Sequence, residues 1–250
     1  MALWMLGYPK AALADTEQGL ADAREIAQAT TLMYALAHAM WIYLWRGNYE
    51  QVESIAEELI PLAQEKGAML WKGAGMASRG CLLALTSNSE VLKAKAIEML
   101  SAGLTVWSST GATAWMPWYR GYLGKARAEL GQFDKAWRDL GVAMTSIESS
   151  DERWWEAEVN RLAGEIALKS REQLSAKAEE YFERALAVAR QQQAKSWELR
   201  AAMSMARLWR DQGKRDQARE LLAPVYGWFT EGLDTSDLKQ ARALLDELAQ

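Results

Sequence analysis

Few residues in this sequence could carry covalent chemistry. The one histidine, His38, sits in "MYALAHAMW", inside an apolar helical stretch. With no second histidine and no nearby cysteine it makes no metal site of the usual spacing, and it reads as a packed or groove histidine. The one cysteine, Cys81, follows Gly80 and reads as a small packed apolar residue. It has no partner for an internal disulfide, which fits a cytoplasmic setting. "GYLGKA" at 121–126 has neither the spacing nor the loop context of a phosphate-binding loop. The carboxylate pairs Glu57–Glu58 and Glu179–Glu180 fall where solvated helix faces are expected, and no nucleophile is spaced to meet a base. The chain therefore reads as non-enzymatic, with no catalytic residue, metal ligand or cofactor.

Binding is the chemistry that remains. There are thirteen tryptophans against three phenylalanines, an inversion of the usual order that asks for a cause. Trp71, Trp115, Trp155 and Trp197 each open a helical stretch, and nine residues later stands Gly80, Gly124, Gly164 or Ala206. At roughly 100° per residue, nine residues leave half a turn, so tryptophan and small residue face opposite ways. The small residue lets two helices approach. The tryptophan is either a wedge between successive units or an anchor for a partner, since Trp both buries a large area and is enriched at binding hot spots. Trp154, beside Trp155, has no counterpart in the other units and is the one to examine for exposure.

A second set lies roughly 40–120° round the helix from the small residues, on the side expected to be concave. It comprises Tyr34, Trp41, Trp45, Trp118, Lys125, Glu158, Arg161, Glu165, Arg200, Arg207 and Arg210. Charge drifts along the chain: residues 1–70 hold nine acidic and four basic side chains, whereas residues 190–219 hold eight basic and three acidic. The arginine row suits an acidic peptide, a carboxylate or a neighbouring domain. The aromatic members Tyr34, Trp41, Trp45 and Trp118 would instead suit a pocket for a small inducer. Ordinary solvated helix faces would give the same pattern.

These positions need helices to hold them. Ala, Leu, Glu, Gln, Arg and Lys dominate, prolines number four, and apolar–polar alternation is nearly absent. Turns at "LGYPKAA", "RGNYEQV", "LGQFDKA" and "QGKRDQA", with altered ones at 86–96 and 169–178, place Ala12, Val52, Ala96, Ala136, Ala178 and Ala218 at steps of 40, 44, 40, 42 and 40 residues. Such a period predicts a right-handed superhelical solenoid of antiparallel helix pairs, each burying its apolar face only by stacking on its neighbours. First helices are expected at 30–46, 69–86, 112–130, 151–169 and 195–212. Their partners are expected at 9–27, 48–66, 89–109, 133–147, 174–192 and 215–230. A capping helix is expected over 235–249, with Thr235 or Ser236 as N-cap. The net charge of −4 argues against a general grip on nucleic acid or anionic lipid. No apolar run is long enough for a membrane span, and the start lacks the pattern of a signal peptide. "ALWML" supplies only the end of a first helix, with no polar covering element before it. The expectation is one domain of about six units, the first truncated, cut from a longer protein or completed by a partner.

The turn pattern, with Phe182 and Ala185 following Ala178, resembles the tetratricopeptide repeat, with each helix about a turn longer. "RWWEAEVNRLAGEIAL" at 153–168 and the stretch from Ala194 to Leu248 resemble, more narrowly, the C-terminal repeat region of large bacterial signalling proteins. In those, a class III adenylate/guanylate cyclase domain and an AAA/STAND-type ATPase precede the repeats. The resemblance implies a sensor or scaffold arm that takes protein or peptide segments, or upstream domains of the same parent chain, in a concave groove. The family's catalytic motifs map onto no residue of this chain.

Overall fold

The structure is a computed structural model that describes residues 1–170 and 174–250. The described residues form thirteen α-helices joined by short turns, with no strand among them. They run α1 (Ala2–Met5), α2 (Pro9–Ile26), α3 (Ala29–Arg46), α4 (Tyr49–Glu65), α5 (Met69–Thr86), α6 (Glu90–Ser108), α7 (Met116–Glu129), α8 (Phe133–Ser150), α9 (Glu156–Lys169), α10 (Ser175–Gln191), α11 (Lys195–Asp211), α12 (Arg215–Gly227) and α13 (Ser236–Leu248). None is long and apolar enough to cross a membrane. The turn expected within 169–178 falls partly on residues 171–173, outside the described residues.

Most helix limits fall within a residue or two of those expected, and two starts move. The helix expected from 112 begins at Met116, because Trp115 takes the left-handed conformation (φ 71°) and turns its ring into the core. The helix expected from 151 begins at Glu156, after a single 3-10 turn over Arg153–Trp155. Thr235 stands at the N-cap of α13, but its hydroxyl makes no capping hydrogen bond.

Helices adjacent in sequence pack together, and α3, α5, α7, α9 and α11 also touch in succession, forming an inner row. The small residues set the spacing within the pairs. A Cβ at Gly80 would lie 2.8 Å from the Leu100 side chain and 3.1 Å from the Ala96 carbonyl oxygen. One at Gly124 would lie 3.1 Å from the Ala136 carbonyl oxygen, and one at Gly164 2.4 Å from the Phe182 ring. The alanine ladder of the outer helices thus meets the small-residue ladder of the inner row.

Opposite that contact the tryptophans fill the inside. Trp41 stacks on Trp115 with ring centroids 3.4 Å apart, and Trp45 meets Trp155 at 5.7 Å and Trp197 at 5.8 Å. The Trp41 indole donates to the Tyr119 hydroxyl at 2.7 Å, which in turn pairs with Ser78. The inner row curls until its first and last members face each other. Trp4 of α1 reaches Trp45 at 4.8 Å and Trp197 at 4.7 Å. Ser196 donates to the Trp4 carbonyl, Arg46 to the Pro9 carbonyl, and one Glu231 carboxylate oxygen accepts the backbone N–H of both Lys10 and Ala11 at 3.0 Å, capping α2. Gly47 has φ 82°, and a Cβ there would lie 2.7 Å from the Ser236 side chain, so the seam needs glycine twice over. Trp4 is only 2% exposed, packed between Trp45 of α3 and Trp197 of α11, while Gly7 lies against Trp228 and Phe229.

Candidate functional site

The curl leaves one polar hollow on the inner side, a pit of about 260 Å³. Leu44 and Trp45 of α3, Trp118, Tyr122 and Lys125 of α7, Arg161 and Glu165 of α9, and Arg200, Met203 and Arg207 of α11 line it. Tyr49, Leu85 and the first turn of α13 complete the wall. Trp118, Tyr122 and Lys125 stand at i, i+4 and i+7, and so do Arg200 and Arg207 at i and i+7, which is why each helix offers one face to the pit.

Ion pairs organise the floor. Glu158, 1% exposed, accepts both arms of the Arg161 guanidinium at 2.7 and 2.8 Å, the Tyr122 hydroxyl at 2.9 Å and Arg200 at 3.5 Å. Burial alone would raise its pKa, but Arg161 and Arg200 override this and hold the carboxyl below its ordinary value. Glu165 accepts Lys125 at 2.9 Å, Ser204 at 3.3 Å and Arg161, and it is likewise held low against the burial penalty. Arg200 also donates to Asp237 at 2.7 Å and to the Trp45 carbonyl at 2.9 Å, joining α11 to α13 and α3. Tyr122, wholly enclosed beside Glu158, is pushed well above its usual pKa, by burial first and by that carboxylate second.

Arg207 is different. Its one hydrogen bond is to the Gln240 side chain at 3.1 Å, and it forms no ion pair among the described residues. Burial lowers its pKa, with Glu165 partly opposing. Lys125 spends one of its three donors on Glu165. Trp45 and Trp118 each bury an indole N–H that has no acceptor among the described residues.

The expected site residues divide accordingly. Trp45, Trp118, Lys125, Arg161, Arg200 and Arg207 come together around the pit. Trp41, Trp45 and Trp118 are each 1% exposed, so these three rings are packed in the core and not displayed along an open groove. Tyr34 does not join them. It lies 54% exposed on the far side, stacked on His38 at 3.9 Å. Arg210 also stands apart, paired with Glu247 at 2.7 Å and with Asp211. Trp154 is half-buried, edge-on to Trp115 at 5.1 Å. The sequence reading missed Tyr49, Tyr122, Asp237 and Gln240. Tyr122 could have been found one turn after Trp118, whereas the α13 residues arrive only through the seam.

Fold and site together define an all-helical chain in which a buried ion-pair network borders a polar pit. No family model matches the sequence, and no curated protein matches it. In three dimensions the chain is similar to the crystal structure of BtubC (BKLC) from P. vanneervenii, with a TM-score of 0.56 over 95% of this chain and 92% of that one, at 17% identity. A likeness at that identity shows shared fold and nothing of function.

Proposed function

We propose that this chain is a non-enzymatic ligand-sensing module, a right-handed tetratricopeptide-like superhelix closed on itself, whose ligand sits in the inner pit. One observation carries the reading: a 260 Å³ hollow whose wall is assembled from α3, α7, α9, α11 and α13, with Arg207 paired to no carboxylate among the described residues. A ligand held there touches both ends of the chain and so can report occupancy by tightening the seam. The family resemblance supports placing such a module in the cytoplasm, as the regulatory arm of a larger signalling ATPase or cyclase.

A thermal-shift screen against small metabolites tests this, with intrinsic tryptophan fluorescence as the second readout. A ligand should raise the melting temperature of the wild type and lose that effect in Arg207→Gln. A silent screen, or equal shifts in the variant, refutes the pit as the site. A second reading, a scaffold that captures a protein segment by its carboxylate, is favoured by the exposed position of Gln240, which opens the pit to the surface. It predicts binding of acidic peptides with no response to free small molecules.

A further inference from the structure

We infer that the pit accepts a small organic monocarboxylate. The inference rests on the ligand-sensing reading and adds the charge and chemical class of the ligand. Its first support is the charge balance. Lys125, Arg161, Arg200 and Arg207 are four cations, and Glu158, Glu165 and Asp237 are three anions, so the cluster carries a surplus of one positive charge, 4 − 3 = 1. Arg207 carries that surplus at a partly exposed position on the pit wall, and a bound monoanion balances it.

The second support is the hydrogen-bond inventory. Arg161 is committed to Glu158, Glu165 and Ser204, and Arg200 to Asp237, Trp45 and Glu158. Glu158 and Glu165 are themselves saturated by the donors already described, so neither offers a ligand a strong acceptor. The cationic donors left over on the pit wall are most of the Arg207 fork and two protons of Lys125. Lys125 is hydrogen-bonded to Glu165 at 2.9 Å, and Arg207 lines the same pit. A carboxylate meets a guanidinium and an ammonium there through short charge-assisted bonds.

The third support is the rest of the wall. Leu44, Leu85 and Met203 are apolar, which suits a hydrocarbon body behind the carboxylate. The volume equals roughly nine waters at about 30 Å³ each, enough for a compact organic acid. A second negative charge on the ligand would face Glu158, Glu165 or Asp237 with no cation left to answer it.

Four probes decide the matter on the intact chain: hexanoate, hexanamide, adipate and inorganic phosphate, titrated by calorimetry and by tryptophan fluorescence. Hexanoate should bind at least about tenfold more tightly than any of the other three, the loss expected when a charged acceptor is replaced or a like charge added. Arg207→Gln should weaken hexanoate by about tenfold or more with an unchanged ligand-free melting temperature, since Gln240 is the partner it loses. Arg210→Gln should bind as the wild type does. Equal binding of hexanamide, or tighter binding of adipate or phosphate, overturns the monocarboxylate assignment and leaves the ligand-sensing reading standing. Failure of hexanoate overturns it as well, and the metabolite screen then decides the broader reading separately.

Discussion

Glu158→Gln is the substitution whose outcome the structure fixes most firmly. The side chain keeps its size and loses its charge. Four donor bonds from three side chains converge on the native carboxylate: Tyr122, Arg161 twice and Arg200. The carboxamide can accept at one oxygen only, and its own N–H₂ would point at a guanidinium that has nothing to accept with. Removing one partner of a buried ion pair costs about 3–5 kcal/mol. Arg161 keeps Glu165 and Arg200 keeps Asp237, so the lower end applies, about 3 kcal/mol. In a chain of this length about 3 kcal/mol corresponds to a fall of roughly 6–12 °C in melting temperature. Circular dichroism at 222 nm measures it, and the cycle with Arg161→Gln and the double variant isolates the pair. The double variant should be less damaged than the sum of the single ones, by about 1 kcal/mol or more. A fall of under about 2 °C, or strict additivity in the cycle, refutes the account of the pit floor.

Three further outcomes follow from other parts of the molecule. A Cβ at Gly103 would sit 2.6 Å from the Ala77 backbone nitrogen, so Gly103→Ala should force α5 and α6 apart and cost about 1–3 kcal/mol or more in thermal unfolding. Glu231→Ala removes the acceptor for the Lys10 and Ala11 amides. It should cost about 1 kcal/mol and speed hydrogen exchange at those two amides while leaving α6 unchanged. Glu158 and Glu165 titrate below their ordinary values in the folded chain. The stability they confer is therefore complete above about pH 4.3 and is lost as pH falls through the folded values. His38 is also lowered, by burial first, so its contribution begins to fall away as pH drops below about 6.5. Melting temperature should be flat near neutrality and decline in acid, and Glu165→Gln should flatten the acid limb. An acid limb unchanged by that variant counts against the assignment.

What could be read from the sequence was what depends on local period. The span 69–86 matches α5, and the glycine and alanine ladders meet as their spacing implied, because helix faces follow from residue number alone. Trp115 shows where that logic stops: its left-handed backbone is imposed by stacking on Trp41, a contact 74 residues distant in sequence. The pit was half legible. Lys125, Arg161, Arg200 and Arg207 share a face by periodicity, whereas Asp237 and Gln240 reach them only because small angles between successive helices add up to closure. The same accumulated curvature turned an anticipated open aromatic groove into core. No window of sequence contains that sum.

The seam has a consequence for how this protein can change. In an open array of helix pairs each unit contacts only its neighbours, so a unit can be gained or lost and the remainder still stands. Here Arg200 must reach the Trp45 carbonyl across 155 residues, and Glu231 must reach the start of α2 across 220. Deleting or duplicating one pair of neighbouring helices would shift the two ends past each other and break both contacts. The seam thus ties the number of helices between its two ends to closure, and leaves variation to outer helices such as α6 and α8, whose contacts are with their neighbours in sequence.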